Sequence, residues 1–161
     1  MFDSGGLTRN LEQAYLQMLA QQAEKRGRVA IVIAADGGVT PMLEQAAQSI
    51  CTGIRALGAQ AEVQHKAFER HGLNLILGAH RLTAEGALLL PPRAIICRLD
   101  TDAQGEQWLT PALRDLLREY ELWDCDPQST AAIAAELPGA RIKHVPFDAL
   151  AQAVASTLQT A

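Results

Sequence analysis

The sequence predicts an α/β fold: a single three-layer Rossmann-like domain with a mostly parallel sheet of about six strands and extra N- and C-terminal helices. Short apolar runs that fit buried strands alternate with longer segments in which apolar residues recur three and four apart, the spacing of one helix face. Because parallel strands need a crossover connection, usually a helix, this alternation is typical of helices packed on both faces of one sheet.

Residues 28–58 show the pattern most clearly. The run 29–35 is apolar throughout, as expected of a strand buried on both faces. It breaks at the turn 36–38, after which apolar residues recur with helical spacing until Gly58. Strand, glycine turn and helix form the opening unit of a doubly wound sheet.

The rest of the chain repeats this alternation. The second strand, 61–65, alternates polar and apolar residues and should be half-exposed. Thr110-Pro111 fits the N-cap and first position of a helix, and Asp148 is expected to cap the last helix. A short helix is expected within 82–90. Further strands are predicted at 73–78, 93–99, 121–125 and 141–146.

A helix precedes the first strand, so residues 1–27 are predicted to form an N-terminal segment and residues 28–161 the Rossmann-like domain. The helix is not needed for the winding of the sheet, and two placements remain open: against the outside of the sheet or against a partner. Its apolar stripe consists of Leu7, Leu11, Ala14, Tyr15, Met18 and Leu19.

Composition argues against several functions. A formal net charge of −4 over 161 residues and the lack of a basic stripe argue against nucleic acid. The longest apolar runs are far shorter than the roughly 18 residues of a membrane helix, and the N-terminus does not have the pattern of a signal peptide. We therefore expect a cytoplasmic protein without nucleic-acid or membrane partners.

The three cysteines and four histidines show no metal-ligand spacing, and neither a metal nor a cofactor is predicted. An odd number of cysteines without a disulfide framework fits a reducing compartment. Cys51 is expected on a helix face and Cys97 in a strand, while Cys125 is expected to be the most exposed of the three. Nothing near them in sequence would activate a thiol, which argues against a catalytic cysteine.

Sheets of this class bind ligands beyond the carboxyl ends of their strands, where the strand order reverses. With the order 3-2-1-4-5, the reversal lies between the first and fourth strands. The predicted ligand-binding residues are Asp36, Gly37, Gly38, Gly78, Asp100 and Asp102.

The loops after the first and fourth strands also have a structural interpretation. Gly37-Gly38 before a helix N-terminus offers free N–H groups to an anion. The pattern is neither GxGxxG nor a P-loop, and Asp36 would repel a phosphate, so a tight turn is favoured. Asp100 and Asp102 could form an acid–base pair, although such aspartates more often solvate a strand end.

His80 is the candidate catalytic residue. It follows Gly78-Ala79 at the end of the third strand, where backbone groups and an imidazole are expected to be exposed at the carboxyl edge. A hydrogen-bonded structural histidine is an equally good interpretation. His144 lies within a strand just before a proline, and there the structural role is favoured.

Five stretches of the sequence match the words of a known family in order and approximate spacing: NLILGAH at 74–80, LPPRAII at 90–96, WLT at 108–110, YELWD at 120–124 and KHVP at 143–146. They resemble the N-terminal half of a family of bacterial glycosyltransferase-like proteins, which are expected to have the two-domain GT-B architecture. The resemblance spans roughly residues 28–147. Separately, residues 2–15 resemble the closing helix of SPINDLY-type, O-GlcNAc-transferase-like glycosyltransferases.

The resemblance implies an acceptor site in this domain, with the sugar nucleotide held mainly by a second domain, and by analogy a catalytic role for His80. Two departures argue against transfer by this chain alone. Residues 98–101 are Arg-Leu-Asp-Thr where the family tends to carry an amide-and-acid pair, and Val145-Pro146 is followed by one more helix instead of the second domain. A half-cleft leaves a sugar nucleotide unpositioned.

Three functions therefore stand as hypotheses. The first is a glycosyltransferase-like domain that works with a partner glycosyltransferase domain on a sugar or nucleotide-sugar ligand. The second is a non-catalytic assembly module, a homodimer, that keeps the fold without the active site. The third is a small stand-alone enzyme that uses His80 and the two aspartates on a nucleotide or sugar phosphate.

Overall fold

The computed structural model describes residues 4–34, 39–99 and 108–160, with the side chains of 10–21 and of every described residue from Gly27 onward. Within these ranges six parallel strands form one sheet with helices on both faces, which confirms the predicted α/β, Rossmann-like fold. The helices are α1 (Ser4–Arg26), α2 (Pro41–Ala56), α3 (Ala84–Leu88), α4 (Pro111–Glu119), α5 (Pro127–Glu136) and α6 (Leu150–Thr160), with 3₁₀ turns at Ala79–Arg81 and Phe147–Ala149. The strands are β1 (Arg28–Ile33), β2 (Gln60–His65), β3 (Leu73–Leu77), β4 (Ala94–Arg98), β5 (Glu121–Asp124) and β6 (Ile142–His144).

The strand order is β2-β1-β3-β4-β5-β6, and this corrects the predicted order 3-2-1-4-5. β3 pairs directly with β1, with Val29 opposite Leu73 and Ile33 opposite Leu77, so the order reverses between β1 and β3. Burial explains the difference. All of β3 is buried and belongs in the centre of the sheet, whereas the half-exposed β2 can occupy an edge.

The strands divide their side chains between two hydrophobic cores. Along β1, Val29, Ile31 and Ile33 face the core beneath α2 and α6, whereas Ala30 and Val32 face the core beneath α3, α4 and α5. The side chains of a strand alternate between the faces, and both faces of this strand are covered. That explains why the run is apolar throughout instead of alternating.

Two predictions about single residues are wrong. Asp148 does not cap α6; it lies inside the turn Phe147–Ala149, which runs directly into the helix and has no side-chain cap. Cys125 is 7% exposed, because the residue after β5 points into the core beneath α2 and α6. Cys51 and Cys97 are buried on a helix and a strand, as predicted, and burial raises the pKa of the Cys51 thiol.

The described side chains of α1, residues 10–21, are all exposed. Leu11, Tyr15 and Met18 have exposed fractions of 63%, 62% and 59%. These residues therefore do not take the predicted position on the outside of the sheet. A single residue, Gly27, separates α1 from β1, and other helices of the domain already cover both faces of β1. No described helix combines the length and apolarity needed to cross a membrane.

Candidate functional site

The candidate site lies at the carboxyl edge of the sheet, on the face covered by α3, α4 and α5. β3 ends at Leu77, and Gly78 then adopts a left-handed conformation with φ 73°. Side chains other than glycine are strained there, by about 1–2 kcal/mol. This turn directs the chain into Ala79–Arg81, which places His80 beside the reversal of strand order.

His80 is 8% exposed, so its imidazole is buried, whereas the sequence analysis expected it to be exposed. Its Nε2 accepts a hydrogen bond from Arg81 Nε at 3.3 Å. A guanidinium only donates, so Nε2 is the nitrogen without a proton in this arrangement. The ring centre lies 6.4 Å from that of Trp108, with the planes 40° apart.

A buried ion pair lies at the ends of the next two strands. Arg98 and Asp124 are direct partners across β4 and β5, and Arg98 Nη1 donates to Asp124 Oδ1 at 3.2 Å. The same oxygen accepts the backbone N–H of Asp126 at 3.1 Å, while the Ser129 hydroxyl donates to Oδ2. Asp124 is 0% exposed, and these bonds offset the cost of burying its charge.

Trp108 connects this ion pair to the histidine. The guanidinium carbon of Arg98 lies 5.4 Å from the centre of the indole ring, within the range of a cation–π contact. Because the imidazole lies beside the same indole, His80, Trp108, Arg98, Asp124 and Ser129 form one cluster. We call it the edge cluster.

Of the predicted site residues, His80 and Gly78 lie at this edge. The sequence prediction missed Arg98, Trp108, Asp124 and Ser129 as members of one site. A signal was present, because Arg98 and Asp124 are charged residues that directly follow the apolar pairs Ile96-Cys97 and Leu122-Trp123 at the ends of their strands. Asp36, Gly37, Gly38, Asp100 and Asp102 lie outside the described residues.

On the other face of the sheet, at the same carboxyl edge, lies an apolar pocket of about 340 Å³. Leu99 and Cys125 line it, since they follow Arg98 and Asp124 and point the other way. Met42 and Phe147 also line the pocket. Among the described residues no group of histidine, cysteine or carboxylate side chains could hold a metal ion.

No protein-family model matches this chain, and comparisons with curated proteins and with solved structures gave no match. The glycosyltransferase resemblance therefore stays a prediction. What the edge cluster can do follows from its own chemistry.

The first prediction concerns the Arg98–Asp124 pair. Changing only Asp124 to Leu, or only Arg98 to Met, should lower the free energy of unfolding by about 3–5 kcal/mol, because the remaining charge stays buried without its partner. The double variant should lose much less than the sum of the two. Urea denaturation measures all three values.

The exposed pair Arg114–Glu136 provides the matched control. Arg114→Met and Glu136→Leu should each change the free energy of unfolding by no more than about 1 kcal/mol. Equal losses at the two pairs would contradict a structural role for the buried one.

The second prediction concerns pH. Asp126 caps α5, and its carboxylate accepts the N–H groups of Gln128 at 3.0 Å and Ser129 at 3.2 Å. The bond from Gln128 is the largest cause that lowers the pKa of Asp126 below its ordinary value of 3.8. A lowered folded pKa stabilises the fold above the unfolded pKa, and this stabilisation is lost as pH falls through the folded pKa.

Asp126→Asn isolates this effect, because asparagine caps a helix about as well but does not titrate. The difference in free energy of unfolding between wild type and variant should be constant above about pH 5 and should shift against wild type as pH falls below 3.8. Asp148→Asn, at an exposed residue without a capping bond, is the control. A difference that does not change with pH would refute the assignment.

Proposed function

We propose that this chain is a glycosyltransferase-like domain that binds a sugar or nucleotide-sugar ligand at the carboxyl edge of its sheet. It provides the acceptor-side half of a two-domain cleft, and a partner glycosyltransferase domain provides the other half. The observation that carries the proposal is the position of His80, a buried imidazole at the end of β3 where the strand order reverses. Parallel sheets bind their ligands at this point.

His80 has the chemistry needed to activate a hydroxyl. Its Nε2 accepts from Arg81, and a ligand hydroxyl that displaces Arg81 would donate to the same nitrogen. The imidazole would then take the proton as general base. The hydroxyl oxygen bonds to the anomeric carbon of the donor sugar, and the electrons of the broken carbon–oxygen bond leave with the diphosphate.

The partner domain follows from the same geometry. Much of the rate of a two-substrate reaction comes from holding both reactants in an aligned, near-attack arrangement. One sheet edge contacts a ligand from one side only. We therefore expect this domain alone to bind its ligand without transferring the sugar.

The third prediction tests ligand binding by calorimetric titration with UDP, GDP and their common sugar conjugates. At least one should bind saturably to the wild-type protein. His80→Ala should weaken that binding about tenfold, because the ligand loses a buried hydrogen-bond partner. The control is His71→Ala, since His71 is exposed just before β3, at the opposite edge of the sheet.

Gly78→Ala gives a second pair of variants. It should weaken binding as well, because it disturbs the turn that places His80. Gly58→Ala is the matched control, since Gly58 has a similar positive φ of 86° but follows α2, away from the site. No binding of any of these ligands at millimolar concentration would refute the proposed function.

A second candidate function, the homodimeric assembly module, is favoured by α1. Its exposed residues Leu11, Tyr15, Met18 and Leu19 form one stripe at helical spacing. The helix is about 35 Å long at 1.5 Å per residue. Because the faces of the adjoining strand are already covered, a second copy of α1 is the occupant that suits this stripe.

The fourth prediction tests this association. Analytical ultracentrifugation should show a dimer for the wild type and a monomer for Met18→Glu, since a charge in the stripe would be buried between the helices. Gln13→Glu is the control, because Gln13 is also exposed but lies on the opposite side of α1 from the stripe. A wild-type monomer at high concentration, or equal effects of the two changes, would argue against the dimer.

A further inference from the structure

Arg98 and Trp108, two members of the edge cluster, each bury an N–H group that has no hydrogen-bond partner in the part of the chain that the structure describes. Trp108 is 7% exposed, and its indole Nε1 makes no hydrogen bond with any described residue. The same is true of Nε of Arg98, whose guanidinium lies over that indole ring. A buried polar group without a hydrogen bond lowers stability, and native proteins contain few of them. Two in contacting side chains indicate a missing partner.

Both groups are donors only. Neither an indole N–H nor a guanidinium can accept a hydrogen bond, so the missing partner has to be an acceptor. Two donors from adjacent side chains suit an oxygen group with several lone pairs. An oxyanion suits them best, because charge-assisted hydrogen bonds are about twice as strong as neutral ones.

Asp124 does not serve as this partner. Its oxygens are engaged by Nη1 of Arg98, the backbone N–H of Asp126 and the hydroxyl of Ser129. These bonds hold the guanidinium in one orientation and leave its buried Nε without a hydrogen-bond partner among the described residues. The ion pair therefore fixes the orientation of the Arg98 Nε–H group before a ligand binds, which reduces the conformational entropy lost on binding.

We propose that Arg98 Nε and Trp108 Nε1 together bind an oxyanion of the ligand, either a phosphate or a carboxylate. The inference rests on the proposed function, since it names the chemical class of the ligand at the same site. Arg98 and Trp108 are binding residues, and Asp124 is a positioning residue. With the oxyanion held at Trp108, a hydroxyl of the same ligand lies toward His80, whose ring centre is 6.4 Å from that of the indole.

The fifth prediction uses inorganic pyrophosphate and malonate as probes, one for each source of oxyanion. At least one should bind saturably to the full chain in calorimetry and raise its melting temperature. Trp108→Phe and Arg98→Lys should each weaken that binding about tenfold or more. Phenylalanine keeps most of the bulk of Trp108 and lysine keeps the charge of Arg98, but each variant lacks the N–H group that would bind the anion. Binding of pyrophosphate alone assigns a phosphate, and binding of malonate alone assigns a carboxylate.

Trp123→Phe is the matched control. Its indole N–H already donates to Glu121 Oε1 at 2.6 Å, so its loss should leave anion affinity unchanged. A second readout is the stability of the unliganded protein. Trp108→Phe removes an unpaired donor, so in the absence of an anion it should cost less stability than Trp123→Phe, which leaves a carboxylate without its donor.

Three results with the anion probes would overturn the inference: no binding of either probe at millimolar concentration, equal binding by wild type, Trp108→Phe and Arg98→Lys, or binding only after Asp100 and Asp102 are changed to Asn. The last result would mean that a carboxylate of the chain itself accepts hydrogen bonds from the two donors. Nucleotide-sugar binding that needs His80 but neither donor would overturn the inference and leave the proposed function intact. Anion binding that needs both donors, without any sugar-ligand binding, would support the inference and refute the proposed function.

Discussion

Two strands buried on both faces, β1 and β3, pair along the centre of the sheet, from Val29 opposite Leu73 to Ile33 opposite Leu77. This pairing determines where the rest of the chain can lie. Because β1 and β3 occupy the centre, the half-exposed β2 lies at one edge of the sheet. On the other side, β4, β5 and β6 follow β3 in chain order. The pairing also sets the reversal of strand order directly beside Gly78, so the turn that carries His80 occupies the place where such sheets bind ligands.

The register of the outer strands then brings opposite charges together. Arg98 and Asp124 are cross-strand partners, and each occupies the last position of its strand. A lone charge at either position would need a large desolvation free energy, whereas the pair, with Ser129 and a backbone N–H, is nearly neutral and hydrogen-bonded. Such a pair adds little net stability compared with apolar residues. Its effect is to hold one guanidinium against the Trp108 ring.

The sequence predicted the elements well because burial leaves a local signature. The apolar run of β1 and the Thr110-Pro111 start of α4 can be identified from a few neighbouring residues. The strand order and the edge cluster depend on which distant segments pair, and no local pattern contains that information. Arg98 and Asp124 are 26 positions apart, and only the β4–β5 register joins them. The error at Cys125 has the same origin, since its burial comes from elements elsewhere in the chain.

The two proposed roles use opposite edges of the sheet. α1 ends one residue before β1 begins, so it leaves the domain at the amino edge, while the edge cluster lies at the carboxyl ends of β3, β4 and β5. A helix pair formed through Tyr15 and Met18 would therefore not cover the carboxyl edge, at which the buried His80 and Trp108 lie. Assembly and ligand binding do not compete for surface in this fold. A charge introduced into the α1 stripe should accordingly change the oligomeric state without changing the affinity of the edge cluster.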